Sequence, residues 1–234
     1  MGKGKPPKWS AFEVGLVTPR QNGKNGILEA RELAGLFLFG ERLILHSAHE
    51  FKTAQEAFRR VMFLVENNDD LRKRVARVRT SHGEEGIELR DGARLRFIAR
   101  STGSGRGFSA DCVILDESYA LSSEAMGALL PTLSALPNPQ VWYTSSAGKR
   151  DSTQLMMIRD RGRAGGDPGL AYFEWSAPLN ARPTTLRRGR LLIPRWVSAL
   201  KRSSLGVSSR PCPSVSFAVN AWAFGMTNLR VRIG

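Results

Sequence analysis

Two hydrophobic rhythms alternate along the chain. Phe12–Val17 is short and largely apolar, which predicts a buried strand, and it runs into the polar turn Thr18–Asn25. From Gly26 to about Phe39, Ile27, Ala30, Leu33, Ala34 and Phe37 recur at helical spacing. Arg42–Ala48 predicts a second strand. Phe51–Val65 predicts an amphipathic helix with Phe51, Ala54, Ala57, Phe58, Val61 and Leu64 on one face, and Leu71–Ala76 is read as its extension. Gly86–Arg90 and Arg94–Ile98 flank Asp91-Gly92, a hairpin signal. Further strands are expected at Cys112–Leu115, Gln140–Thr144 and Leu170–Trp175, and helices at Ser122–Leu133 and Asp151–Gly162. Strands alternating with helices predict an α/β fold, a mostly parallel sheet with helices on both faces.

Charge divides this pattern in two. The formal net charge is +14, which suggests a polyanionic partner. Up to Pro178 the charges nearly balance, with 25 basic and 21 acidic residues, whereas Leu179–Gly234 holds ten basic residues and no Asp or Glu. The expected organisation is therefore a folded unit over 1–178 followed by an irregular basic tail over 179–234. No stretch approaches the roughly 20 apolar residues of a membrane span, and Met1–Lys8 lacks the apolar run of a signal peptide. Cys112 and Cys212 show no metal-ligand spacing with the three histidines, so a reducing, cytoplasmic setting is expected.

Three segments carry candidate chemistry. The turn Thr18-Pro-Arg20-Gln21-Asn22-Gly23-Lys24-Asn25 lies between strand and helix, where a phosphate-binding loop G-x-x-x-x-G-K-[ST] would lie. Gly23 and Lys24 match, Thr18 replaces the first Gly, and Asn25 replaces the hydroxyl residue. Backbone N–H groups at the helix start would hold phosphate oxygens while Lys24 reaches the β and γ oxygens. The alternative is a surface turn. Cys112-Val-Ile-Leu-Asp116-Glu117 is an apolar strand delivering two carboxylates, as in a Walker-B strand. Asp116 would hold Mg²⁺ through water and Glu117 would orient the attacking water; the alternative is a solvated strand end. Standing some 90 residues after the loop, on a strand expected to adjoin it, the pair favours an ATPase. In Trp142-Tyr-Thr144-Ser145-Ser146-Ala-Gly148, small hydroxyl residues could sense the γ-phosphate, or form a polar loop after a core strand.

PRQNGKN, LILHSAHEFKTAQEAF, GIELRDGARLRFIARSTGSGRGFSADCVILDE and YTSSAG together resemble the ATPase domain of tailed-phage large terminase subunits, over about residues 10–178. The resemblance implies a P-loop NTPase-like fold and ATP and Mg²⁺ as cofactors. It also implies contacts from Arg20 and Lys24 to phosphate, Asp116 at the Mg²⁺ site, and Glu117 as the catalytic carboxylate. Thr144, Ser145 and Ser146 would couple hydrolysis to movement. Arg106, eleven residues before Glu117, matches an arginine reaching a neighbouring subunit's nucleotide. An arginine finger of that kind contributes about 10³ to 10⁵ in rate. Asn25 departs from the pattern where a hydroxyl usually meets Mg²⁺. His46 and His49 read as structural or DNA-facing, not as metal ligands. The implied partners are double-stranded DNA, a portal, a small terminase subunit and further copies in a ring, in the cytoplasm of a bacterial host.

Only about eleven residues precede Phe12, so the adenine-contacting segment of the family is expected to be absent. A tail without Asp or Glu predicts no nuclease activity. Read one frame over with permitted codons, LRRGRLLIPRWVS can yield EAWAAANPALGI, and PCPSVSFAVNAWAFGMT can yield MPEREFRRERLGIWDD. Both resemble what terminases carry after the ATPase domain. A frameshift between about Leu179 and Pro183 is therefore expected, against the alternative of a basic DNA-binding extension. The leading function is ATP-driven translocation of double-stranded DNA into a phage capsid. A catalytically inactive prophage remnant with charge-driven DNA binding is the second reading, and a helicase-like ATPase the third.

Overall fold

A computed structural model describes residues 8–81, 83, 85–100 and 109–176, with backbone alone at 128, 132 and 134. Arg106, the start of the chain and the tail from 177 on, with the expected frameshift, lie outside the described residues. Eight strands form one sheet: β1 (Glu13–Val17), β2 (Leu43–Ala48), β3 (Val75–Arg79), β4 (Gly86–Leu89), β5 (Arg94–Ala99), β6 (Cys112–Leu115), β7 (Gln140–Ser145) and β8 (Leu170–Glu174). Their order is β3-β4-β5-β2-β6-β7-β1-β8. The five pairings from β5 to β8 are parallel, and the two that join β3, β4 and β5 are antiparallel. The helices are α1 (Lys24–Ala34), α2 (Phe51–Glu66), α3 (Asp69–Arg74), α4 (Ser123–Ser134) and α5 (Thr153–Ala164).

The continuous apolar runs of the central strands follow from burial on both faces. In β6, Cys112 and Ile114 pack into the core shared with α1 and α2, while Val113 and Leu115 pack into the core shared with α4 and α5. Side chains alternate along a strand, so both faces must be apolar when both are covered. α2 supplies Ala54, Phe58, Val61 and Val65 to the first core. On the second face Gly15 in β1 lets α5 and β8 approach: a Cβ there would meet Tyr172 at 2.7 Å and Ile158 at 3.0 Å.

Three expectations change. Leu71–Ala76 does not extend α2; Asn68 caps a separate short helix, accepting from the N–H groups of Asp70 (3.1 Å) and Leu71 (3.2 Å). The chain then turns into the edge strand β3, where Val75 and Val78 lie opposite Leu89 and Ile87 of β4, a register shift after Val75 letting both pack against the first core. The phosphate-loop strand and the carboxylate strand, expected side by side, are separated by β7. The expected end of the first helix is a π-helical turn, Gly35–Phe39, closed by Gly40 at φ 71°.

Candidate active site

Ligand sites in open parallel sheets lie beyond the carboxyl ends of the strands, and the candidate residues collect there. One residue past β1, the Thr18 N–H donates to Ser145 O at 3.0 Å, tying the loop to β7. The loop then curls through left-handed backbone at Gln21 (φ 59°) and Gly23 (φ 82°). Asn22 Nδ2 donates to Arg20 O at 3.1 Å, holding the curl from within. The first bond of α1 runs from Ile27 N–H to Gly23 O, 3.3 Å. The N–H groups of Lys24, Asn25 and Gly26, at the helix start, have no intrahelical acceptor, and Gly23 gives no side-chain cap. Such a turn favours an anion.

Asp116, one residue past β6 and 3% exposed, receives the loop's cation. Its Oδ1 forms an ion pair with Lys24 Nζ, accepts from Thr144 Oγ1 at 2.9 Å and accepts from the Glu117 N–H at 2.8 Å. Burial pushes the Asp116 carboxyl up, but Lys24 and then His46 outweigh it and hold it below the usual carboxylate range. The intervening β7 is therefore no obstacle to the pairing: it supplies Thr144, fully buried, to the same carboxylate oxygen. Glu117 follows with φ 53°, a conformation disfavoured for a residue with a Cβ, and its Oε2 is enclosed without a hydrogen-bond partner among the described residues. Strain of this kind costs on the order of 1–3 kcal/mol and persists where surrounding structure imposes it.

Of the expected site residues, the structure brings Lys24, Asp116, Glu117 and Thr144 together, Asn25 lines the same cleft as Asp116, and Arg20 and Gln21 are exposed. Ser145 is fully buried and Ser146 half-buried at the end of β7. Ser152 joins that end to the turn after Glu117: its Oγ accepts from Lys149 N–H (2.9 Å) and donates to Tyr119 O (2.6 Å). Three further residues join the site that the sequence alone did not mark as part of it. Arg100 Nη2 donates to Ser47 O (2.8 Å) and to Asp116 O (2.5 Å), clamping β2 to the carboxylate turn. Burial pulls its pKa down to about 10, partly offset by Asp116 and Glu117. Glu32 and His46 stand behind Asp116, both 1% exposed, with His46 Nδ1 2.5 Å from Glu32 Oε1. Burial pushes His46 down, but Glu32 and Asp116 more than reverse this and raise it. The available sequence signal was a polar residue at a core position, His46 within LILHSA; His49 is exposed instead.

A cleft of about 260 Å³ between α1 and α2 opens on Asp116 and is lined also by Asn25, Glu32, His46 and Lys52. Among the described residues no group of three or more His, Cys, Asp or Glu side chains could hold a metal ion. A Mg²⁺ ion that keeps most of its waters and leans on one carboxylate plus substrate phosphates still fits, since Asp116 is ionised beside an anion-favouring helix start. Also among the described residues, no helix is long and apolar enough to cross a membrane.

No family model and no curated protein matches the chain. Solved structures do. The chain is similar to the large terminase of bacteriophage HK97, with a TM-score of 0.69 at 19% identity over 91% of this chain and 43% of that one. It is similar also to the large terminase of a thermophilic bacteriophage, with a TM-score of 0.54 at 10% identity over 77% of this chain and 44% of that one. A further structure of that thermophilic-phage terminase, in complex with ATP-gamma-S, gives a TM-score of 0.52 at 10% identity, over 77% of this chain and 44% of that one. The chain thus spans less than half the length of these proteins. At such identities the likeness is one of fold: the chain shares its α/β fold with part of these phage large terminases.

Proposed function

We propose that this chain is an ATP-hydrolysing motor domain that drives double-stranded DNA into a phage capsid. The observation that carries the reading is the convergence of Lys24, Asp116 and Thr144 beneath the uncapped start of α1. Arg20, Gln21, Asn22, Gly23, Lys24 and Asn25 would wrap the phosphates, and Lys24 would exchange Asp116 for the β and γ oxygens. Asp116 would hold Mg²⁺ through water, which would draw charge from the leaving phosphate. Glu117, fixed in a strained backbone, would orient the attacking water. Thr144 donates to Asp116 directly, so a change at that carboxylate would reach the end of β7. This supports Thr144–Ser146 as the coupling segment.

The wider assignments belong to the same proposal: an ATPase unit over 1–178 and a basic tail over 179–234, a ring of copies in which Arg106 completes a neighbour's site, and DNA, portal and small terminase subunit as partners in the bacterial cytoplasm. The thermophilic-phage large terminase has been solved with ATP-gamma-S, which supports nucleotide as the ligand here. The test is steady-state ATPase of the full chain beside Lys24→Ala and Glu117→Gln, with and without duplex DNA. Wild type should hydrolyse ATP, both variants should lose at least about 100-fold, the scale of a lost general base or oxyanion contact, and Glu117→Gln should still bind. Equal rates in all three would refute the assignment.

A further inference from the structure

Behind Asp116 three ionisable side chains stand in line inside the core face of α1 and α2: Glu32 in α1, His46 in β2 and Asp116 itself, at 1%, 1% and 3% exposure. Burying such groups is costly unless each is paired. The hydrolysis scheme above uses only the last of them. His46 is held on two sides. Its Nδ1 lies 2.5 Å from Glu32 Oε1, and its ring lies against Phe97, centroids 5.2 Å apart, which Phe58 contacts in turn at 5.6 Å. The other ring nitrogen, Nε2, is enclosed, has no hydrogen-bond partner among the described residues, and faces Asp116 Oδ2 at 3.9 Å.

The carboxylate is thus held unevenly. Oδ1 takes Lys24, Thr144 and the Glu117 N–H, whereas Oδ2 meets the imidazole across the gap. A carboxylate held at one oxygen turns easily, because the terminal torsion of Asp is broad. A fixed ring on the other side limits that turn, and a side chain of that kind is what orients a carboxylate toward a cation.

We propose that His46, anchored by Glu32, is the positioning residue that orients Asp116 for the Mg²⁺–nucleotide complex, so that the site extends through β2 into the body of α1. The proposal rests on the phosphate-site reading above. His46→Asn keeps an amide where Nδ1 meets Glu32 but cannot reach Asp116, and His46→Gln places its amide near Nε2. For the full chain and both variants, ATP affinity is measured with excess Mg²⁺ and with EDTA, alongside the melting temperature. His46→Asn should lose about 10–100-fold of the Mg²⁺-dependent gain in affinity, while its EDTA affinity stays within about two-fold of wild type on the ground that the phosphate loop is untouched. His46→Gln should retain the gain. Retention by His46→Asn overturns the proposal. So does loss in both variants, which would indicate packing alone, the more so if melting temperature falls in step. A wild type that binds no ATP in either condition sinks the phosphate-site reading and this inference with it, which separates the two failures.

Discussion

Asp116 Oδ1 accepts from three donors drawn from three different parts of the chain, a helix start, a strand end and the next peptide N–H. Residue-level chemistry here depends on burial as much as on residue type. Cys112 makes the same point four residues earlier on the strand. It is fully buried, and burial, countered in part by Arg31, pushes its thiol up to about 12. Because the protonated thiol is the form the fold accommodates, its contribution to stability is complete below the unfolded thiol pKa near roughly 8.5. That contribution is lost as pH rises from there toward the folded value. In a Cys212→Ser variant at about pH 8, just below that unfolded pKa, a disulfide thiol reagent should leave the native protein unmodified and react once denaturant unfolds it. Rapid reaction of native protein would contradict the burial of β6.

At the scale of elements, α1 is fastened at both ends by charge. Its start meets Asp116 through Lys24. Farther along, Arg31 donates to both oxygens of Glu41 at 2.8 and 2.6 Å, with Gln140 Oε1 at 3.3 Å, and its guanidinium stacks 5.0 Å from the Trp9 ring. Both side chains are at most 7% exposed, so removing one strands the other in the core. Glu41→Ala should cost about 3–5 kcal/mol of unfolding free energy, whereas replacing both partners with apolar residues of similar volume should cost far less. Denaturant melts of the single and double variants check this; a double variant that loses as much as Glu41→Ala would contradict it. The pairing also requires a glycine just past α1, since a Cβ on Gly35 would lie 2.1 Å from Glu41 Oε2.

For the whole molecule, the sheet order puts the phosphate loop, Thr144 and Asp116 on three successive strands, β1, β7 and β6. A ligand bridging them ties the sheet's centre together. ATP with Mg²⁺ at about 100 times its Kd should therefore raise unfolding free energy by about 2.7 kcal/mol, read as a thermal shift that Lys24→Ala abolishes. If Arg106 acts on a neighbour, ATPase rate per chain should also climb with protein concentration, and Arg106→Ala should flatten that climb. A rate per chain independent of concentration would argue against a shared site.

Periodicity alone determined most of the elements and the α/β class, because a strand buried on both faces must be apolar throughout and an amphipathic helix must repeat its apolar residues. Spacing and residue type determined Lys24, Asp116 and Glu117 as candidates, since few side chains can serve a triphosphate. Tertiary structure decided the rest. β3 is an edge strand paired with β4, and that pairing sets Val75 and Val78 against the core. β7 stands between β1 and β6, an order that follows from packing across the sheet and leaves no local trace in the chain. Glu32 and His46 lie 14 residues apart on different elements, and only the docking of α1 onto β2 brings them together behind Asp116. Local pattern reports which faces a segment must bury; which segments meet there is set by contacts between residues distant in sequence.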